Sequence, residues 1–171
     1  ITHSTIGTAD PDYSHHKMAD HEDQRATGIP FIYTGQGRLH IPNDVQHVFV
    51  ASTVTRIGCD AFHSCLALTS IDFPDGLQVI DMRAFEDCSS LISVIIPSTV
   101  DKIGDSTFNE CISLKMVELR EGNKEIGPRA FLHCRCMMNM KIPSSIDRIG
   151  FSAFEDCRSL VDVTLPKGLL I

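Results

Sequence analysis

Cysteine is the side chain in this sequence best suited to chemistry, and its positions decide which chemistry is open to it. Cys65, Cys88, Cys111, Cys134 and Cys157 recur at steps of 23 residues, and Cys59 and Cys136 complete the seven. A zinc site needs ligands two to four residues apart that converge on one point. Thiols repeated at a long fixed step stand instead in a row, one per structural unit. The column therefore reads as small buried apolar side chains, with Cys59 and Cys136, which break it, as the exposed thiols. A disulfide between adjacent units would need side chains turned towards each other, and Cys134-x-Cys136 is too closely spaced for a typical zinc pair.

Other reactive residues also stop short of a site. His15, His16 and His21 lie near Asp20, Glu22 and Asp23 in a polar stretch, where no folded scaffold would fix ligand geometry. Gly35-Gln36-Gly37-Arg38 lacks the lysine and hydroxyl residue of a phosphate loop and reads as a turn. His63 and His133 fall beside the cysteine positions without an evident nucleophile, and no serine stands in a nucleophile-elbow motif. No catalytic, cofactor-binding or metal-ligating residues are expected, and the chain reads as a non-enzyme.

Composition narrows the partners. Tryptophan is absent, and the formal net charge of -7 opposes nucleic acid, because phosphate neutralisation needs clustered Lys and Arg. It equally disfavours an anionic membrane surface, and no apolar run reaches the length that spans a bilayer. The start, Ile1-Thr2-His3-Ser4, has neither a basic lead nor an apolar signal core and no initiator methionine. The expectation is a processed chain or part of a longer one, with the compartment open.

The elements that must position these residues follow from the period. Phe62, Phe85, Phe108, Phe131 and Phe154 keep the same 23-residue step, as do Ile57, Ile80, Ile103, Ile126 and Ile149. The residue before each phenylalanine is Ala61, Ala84, Thr107, Ala130 or Ala153, and a further column is Leu68, Leu91, Leu114, Met137 and Leu160. Within one unit, Val94 and Ile96 alternate with Ser93 and Ile95, the period-two signature of a half-buried strand. Proline closes that strand at Pro74, Pro97, Pro143 and Pro166, since it cannot donate to a ladder. Ala84 to Cys88 spaces its apolar positions three apart, which suggests one helical or 3-10 turn. Val54-Thr55-Arg56-Ile57 and its copies suggest a second extended piece on the opposite side. A single unit cannot bury its own apolar face, so identical units must stack, each column becoming a ridge of the core.

The expected fold class is thus α/β, a solenoid of 23-residue repeats, each a short strand plus a helical or 3-10 turn. Residues 1–28 read as a disordered tail or linker, and 29–53 as an N-terminal capping segment with the first strand. Residues 54–171 form the array, with repeats 54–76, 77–99, 100–122, 123–145 and 146–168 and the start of another at 169. Leu169-Leu170-Ile171 opens that unit without its isoleucine and phenylalanine, so further repeats are expected to follow.

The pattern Ile-Gly-x-x-Ala-Phe-x-x-Cys-x-x-Leu-x-x-Val-x-Ile-Pro, cleanest from Ile149-Gly150 through Ala153-Phe154, Cys157, Leu160, Val163 and Leu165-Pro166, resembles the BspA-type (treponemal) leucine-rich repeats. The resemblance covers roughly residues 48–171, and Tyr33-Thr34-Gly35-Gln36-Gly37 is similar to the lead-in of such arrays. It implies a curved solenoid, a role in adhesion or protein recognition, and no catalytic residues. Asp81 departs from the pattern in place of glycine, Arg120 in place of proline and Asn123 in place of an apolar residue. The fourth unit, with Cys136, Met137, Met138 and Met140 crowded together, is expected to be the softest.

Binding in solenoids usually falls on the outward strand positions, which successive rungs join into one ribbon. Alternation gives two such columns: His47, Ser70, Ser93, Met116, Asn139, Asp162, and Phe49, Asp72, Ile95, Glu118, Lys141, Thr164. Neither keeps one residue type. Phe49, Asp72, Ile95, Met116, Glu118 and Lys141 are the candidate partner-binding residues, with Ile95 and Met116 as an apolar spot rimmed by charge. A rival patch is Ile92, Met138 and Val161 on the flank. The leading expectation is a protein-interaction module for a protein or cell-surface ligand, monomeric or part of a longer array, with no nucleic acid and no membrane insertion. The alternatives are a structural spacer in a longer chain and a metal- or redox-responsive protein using the cysteines.

Overall fold

Alternation in the sequence becomes a stack of parallel strands. The computed structural model describes residues 30–35, 41–166 and 169; the expected tail and the Gln36-Gly37-Arg38 part of the glycine-bearing turn lie outside them. The strands, in chain order, are β1 (Phe31–Tyr33), β2 (His47–Val50), β3 (Arg56–Ile57), β4 (Ser70–Asp72), β5 (Val79–Ile80), β6 (Ser93–Ile95), β7 (Lys102–Ile103), β8 (Met116–Glu118), β9 (Glu125–Ile126), β10 (Asn139–Lys141), β11 (Arg148–Ile149) and β12 (Asp162–Thr164). One side of each rung contributes to a sheet ordered β11-β9-β7-β5-β3. The other side forms two sheets, β1-β2-β4 and β12-β10-β8-β6. Ile57 pairs Ile80, Ile80 pairs Ile103, Ile103 pairs Ile126, and Ile126 pairs Ile149, so the repeat step is also the strand register.

Between the two sides lies the core. The rings of Phe62, Phe85, Phe108, Phe131 and Phe154 stack within 6° of parallel at centroid separations of 5.0, 5.3, 5.5 and 5.6 Å. Tyr33, carried by β1, closes the N-terminal end of this pile, its ring 5.0 Å from Phe62 and tilted by 55°. Each buried phenylalanine removes enough apolar surface to contribute about 1.5–3 kcal/mol.

No helix of either kind is present among the described residues, which corrects the expected helical or 3-10 turn. From Gly58 to Cys65 the chain instead makes linked turns, with φ of 56° at Asp60 and 55° at Ser64. The same left-handed pair recurs at Arg83 and Asp87, Ser106 and Glu110, Arg129 and His133, and Ser152 and Asp156. Each such residue breaks a right-handed run, because a helix needs consecutive residues of negative φ. Alternate N–H groups close the turn locally: Ala61 to Gly58, His63 to Asp60 and Cys65 to Phe62. The intervening ones reach out of the rung, Asp60 donating to Met82, Phe62 to Ala84 and Ser64 to Glu86 at 2.7–3.2 Å. Bonds between rungs thus offset the strain of the left-handed residues. The three-residue apolar spacing is real, but it belongs to turns laid flat in each rung.

The cysteine column is buried at Cys65, Cys88, Cys111 and Cys134, and all seven cysteines are free thiols. Cys88, Cys111, Cys134 and Cys157 each point Sγ at the carbonyl of the phenylalanine one rung earlier, at 3.1–3.2 Å. Phe62 O, for example, accepts from both Cys65 N and Cys88 Sγ. Burial, reinforced by neighbouring thiols, pushes Cys111 and Cys134 well above the usual thiol range. Cys157, less enclosed, is pushed up to about 11. Cys59 and Cys136 are exposed, so Cys134 and Cys136 do not share an environment.

Departures from the repeat have structural accounts. Asp81 pairs through both carboxylate oxygens with Arg56, at 2.6 and 2.8 Å. Where glycine is kept, at Gly104, a Cβ would come within 2.5 Å of the Asp81 backbone of the preceding rung. Asn123 is fully buried, and its Nδ2 donates to Pro97 O at 2.8 Å and Val100 O at 2.7 Å. In the fourth unit Met137 and Met140 are buried while Met138 is exposed, and Glu121 clasps the next rung by accepting from Ser144 N and Ser145 N, each at 3.1 Å.

Candidate binding face

The outward positions lie in register within two groups of strands, β2 with β4, and β6 with β8, β10 and β12. His47 is paired with Ser70, Phe49 with Asp72, Ser93 with Met116, Ile95 with Glu118, Asn139 with Met116 and Lys141 with Thr164. Short strands present alternate side chains to opposite faces, so Val48, Ile71, Val94, Val117 and Met140 enter the core while their neighbours face solvent. Phe49, Ile95 and Met116 stand out with 46%, 43% and 50% of their surface exposed. Asp72, Glu118 and Lys141 are exposed as well. Ile95 and Met116 are diagonal neighbours on paired strands, since Met116 stands opposite Ser93 and Ile95 opposite Glu118.

The face is joined less tightly at one place, where Ile92 N still donates to Thr69 O at 3.1 Å but no strand pairing follows. β4 and β6 belong to different sheets, and a groove of about 240 Å³ opens beside the break, lined by Ser70, Asp72, Phe73, Asp75, Ile95 and Arg120 among others. Phe73 occupies the repeat position held by Ile96, Leu119 and Ile142. Its ring meets Phe85 edge-on at 5.8 Å and 70°, a bulk that the smaller side chains of later rungs do not bring to the strand end. The break leaves Phe49 and Asp72 on one sheet and Ile95, Met116, Glu118 and Lys141 on the other. Sequence reasoning missed this groove, although Phe73 on its wall is the one aromatic residue in an otherwise aliphatic column.

Across β2 and β4, His47 links two rungs. Its Nδ1 lies 2.6 Å from Ser70 Oγ and its Nε2 lies 3.3 Å from Asp72 Oδ2. Hydroxyl, imidazole and carboxylate are thus connected, but on an open strand pair. An oxyanion needs preorganised donors aimed at it, and the main-chain N–H of Ser70 instead donates along the ladder to Gln46 O. The arrangement is a tie between rungs.

Asp60, His63 and Glu86 bring ligand atoms within 4.8 Å of one another. Arg83 already supplies the positive charge there: its Nη2 donates to Asp60 Oδ2 at 3.1 Å, and its Nε lies 4.0 Å from Glu86. Asn109 satisfies the other Glu86 oxygen at 2.7 Å. A guanidinium in the middle of the cluster makes it an ion-pair network across rungs. His133 is placed similarly, 3.0 Å from Asp156 and 3.7 Å from Glu110. Asp156 is further bound by Arg158 at 2.6 Å and Arg135 at 3.2 Å, and these partners, Arg158 foremost, lower its pKa to about 2.

On the flank, Ile92, Met138 and Val161 are exposed as expected. Lys115 interrupts them, its N–H donating to Ile92 O and its carbonyl accepting from Met138 N. That flank is a broken apolar column, whereas Ile95 and Met116 are diagonal neighbours on one strand pair.

The model of the BspA type leucine rich repeat region matches residues 42–161 in 6 copies. Among solved structures, the chain is similar to a leucine rich cell surface protein from Faecalibacterium prausnitzii, with 32% identity and a TM-score of 0.61 over 70% of this chain and 32% of that one. It is similar to the leucine rich repeat protein of T. pallidum, with 26% identity and a TM-score of 0.72 over 79% of this chain and 63% of that one. A leucine-rich repeat protein from Bacteroides ovatus shares 26% identity, with a TM-score of 0.57 over 73% of this chain and 38% of that one. The chain spans less than two thirds of the length of each of these structures. No curated protein matches it in sequence.

Proposed function

The chain belongs to the BspA-type leucine-rich-repeat family, and from that premise we propose that it is a non-enzymatic recognition module. It binds a protein or cell-surface ligand through the outward face of β2, β4, β6, β8, β10 and β12. The observation that carries this reading is the contrast between the two strand faces. Inward positions stay apolar, at Val48, Ile71, Val94, Val117 and Met140, while the outward ones place exposed Phe49, Ile95 and Met116 among Asp72, Glu118 and Lys141. Exposed apolar anchors inside a polar rim are the usual makeup of a protein-binding patch. The F. prausnitzii structure, described as a cell surface protein, supports an extracellular type of partner.

The test is crosslinking capture from cell-surface extracts, comparing the parent with an Ile95→Glu/Met116→Glu variant of unchanged circular dichroism. A partner captured by the parent and lost by the variant supports the strand face. Retention by both moves binding to the Ile92–Met138–Val161 flank. If nothing is captured by either, the chain is a structural spacer.

A further inference from the structure

We infer that the groove between β4 and β6 is a socket for one lysine or arginine side chain of a partner protein. This rests on the strand-face reading above and adds the chemistry of the residue that enters.

Size comes first. At about 240 Å³ the groove falls below the roughly 300–1,000 Å³ of small-molecule sites, so it suits one long side chain better than a whole ligand. Charge then selects which side chain. Asp72 and Asp75 both line the groove, and the cation beside them, Arg120, is engaged by Glu118 at 3.3 Å. Asp72 meets His47 Nε2 on its outer side, while the Asp75 carboxylate has no ion pair or side-chain hydrogen bond among the described residues. A carboxylate without a cation, on the wall of a concave surface, attracts one.

The remaining wall fits the stem of such a side chain. Phe73 and Ile95 offer apolar surface, and Ser70 and Ser93 offer hydroxyls. Lysine and arginine bury their methylene stems on apolar surface while the charged head seeks polar partners. Ile95 belongs both to this wall and to the Ile95–Met116 patch, so a partner seated on the patch would bring its neighbouring residue to the groove.

The test titrates the isotope-labelled chain with the acetylated, amidated tripeptide Leu-Lys-Leu and, separately, Leu-Glu-Leu, reading amide NMR shifts at low and physiological salt. Saturable shifts at Ser70, Asp72, Asp75 and Ile95 with the lysine peptide are expected, stronger at low salt and about tenfold weaker for the glutamate peptide. Asp75→Asn, which leaves the His47–Asp72 tie intact, should lose most of that preference with its spectrum otherwise unchanged. Equal shifts with both peptides, shifts centred elsewhere, or none would overturn the socket. If the socket fails while Ile95→Glu/Met116→Glu still loses its captured partner, the strand face stands without it. If that variant keeps its partner while the lysine peptide still shifts the groove amides, the strand-face reading fails and the socket stands as a separate site.

Discussion

The backbone N–H of Arg120 donates to Asn123 Oδ1 at 2.9 Å. At the equivalent positions Pro74, Pro97 and Pro143 carry no N–H, and Leu77, Val100 and Ile146 carry no acceptor. Two departures from the repeat are therefore one feature: losing the proline creates a donor, and the asparagine three residues on receives it.

Restoring the repeat at one of these positions should therefore harm the fold. Asn123→Val fits the column of Val54, Val100 and Ile146 by type, yet it would strip partners from Arg120 N, Pro97 O and Val100 O. The expected cost is about 1–3 kcal/mol, read as a lower urea midpoint at constant slope. A midpoint equal to or above the parent's would mean that the apolar gain outweighs the lost bonds.

Glycine should matter by rung. Gly104→Ala places a methyl 2.5 Å from the preceding backbone, whereas Gly58→Ala meets nothing within 4 Å. The first should cost about 1–3 kcal/mol and the second stay within about 0.5 kcal/mol in the same urea assay. Similar losses for both would place the constraint in backbone freedom instead of contact between rungs.

Thiol labelling should sort the cysteines by burial. At mildly alkaline pH, Cys59 and Cys136 are expected to react in the native protein, Cys157 slowly, and Cys65, Cys88, Cys111 and Cys134 only on unfolding. Peptide mapping after timed alkylation reads this directly. Fast native labelling of Cys111 would refute the buried column.

Asp156 links the last described rungs to acid. Its folded pKa of about 2 lies below the ordinary 3.8, so the stabilisation is full above about pH 4 and is lost as pH falls through 2. Arg158→Ala should move its titration, followed by carboxyl NMR, back towards 3.8. An unmoved titration would assign the shift to His133 and Arg135 instead.

Much of this was legible in the sequence because a strict period projects onto space. Ile57 and Ile80, or Phe85 and Phe108, are in register since they are one step apart, and the outward columns followed from alternation. The turn conformation was hidden. Apolar spacing of three fits a 3-10 turn as well as linked turns, and Asp60, Arg83 or His133 do not announce positive φ as glycine would. The groove was hidden too, because neither period nor alternation marks where neighbouring strands such as β4 and β6 fail to pair. The tie from His47 to Ser70 and Asp72 could have been found by reading residues 23 and 25 positions apart as neighbours.

The turns from Asp60 to Ser64 and their copies send their outgoing N–H groups towards the next rung at every step, Phe62 to Ala84, Phe85 to Thr107, Phe108 to Ala130 and Phe131 to Ala153. Strand dipoles in a sheet largely cancel, but these peptide units point one way, as they do in a helix. The turn edge is thus electrically a helix laid across the repeats, with its macrodipole along the stacking axis and perpendicular to the chain. Its negative pole lies at the Asp60 rung and its positive pole at the rung of Asp156, so the two ends of this edge differ in sign before any charged side chain is counted, and each added repeat lengthens the column.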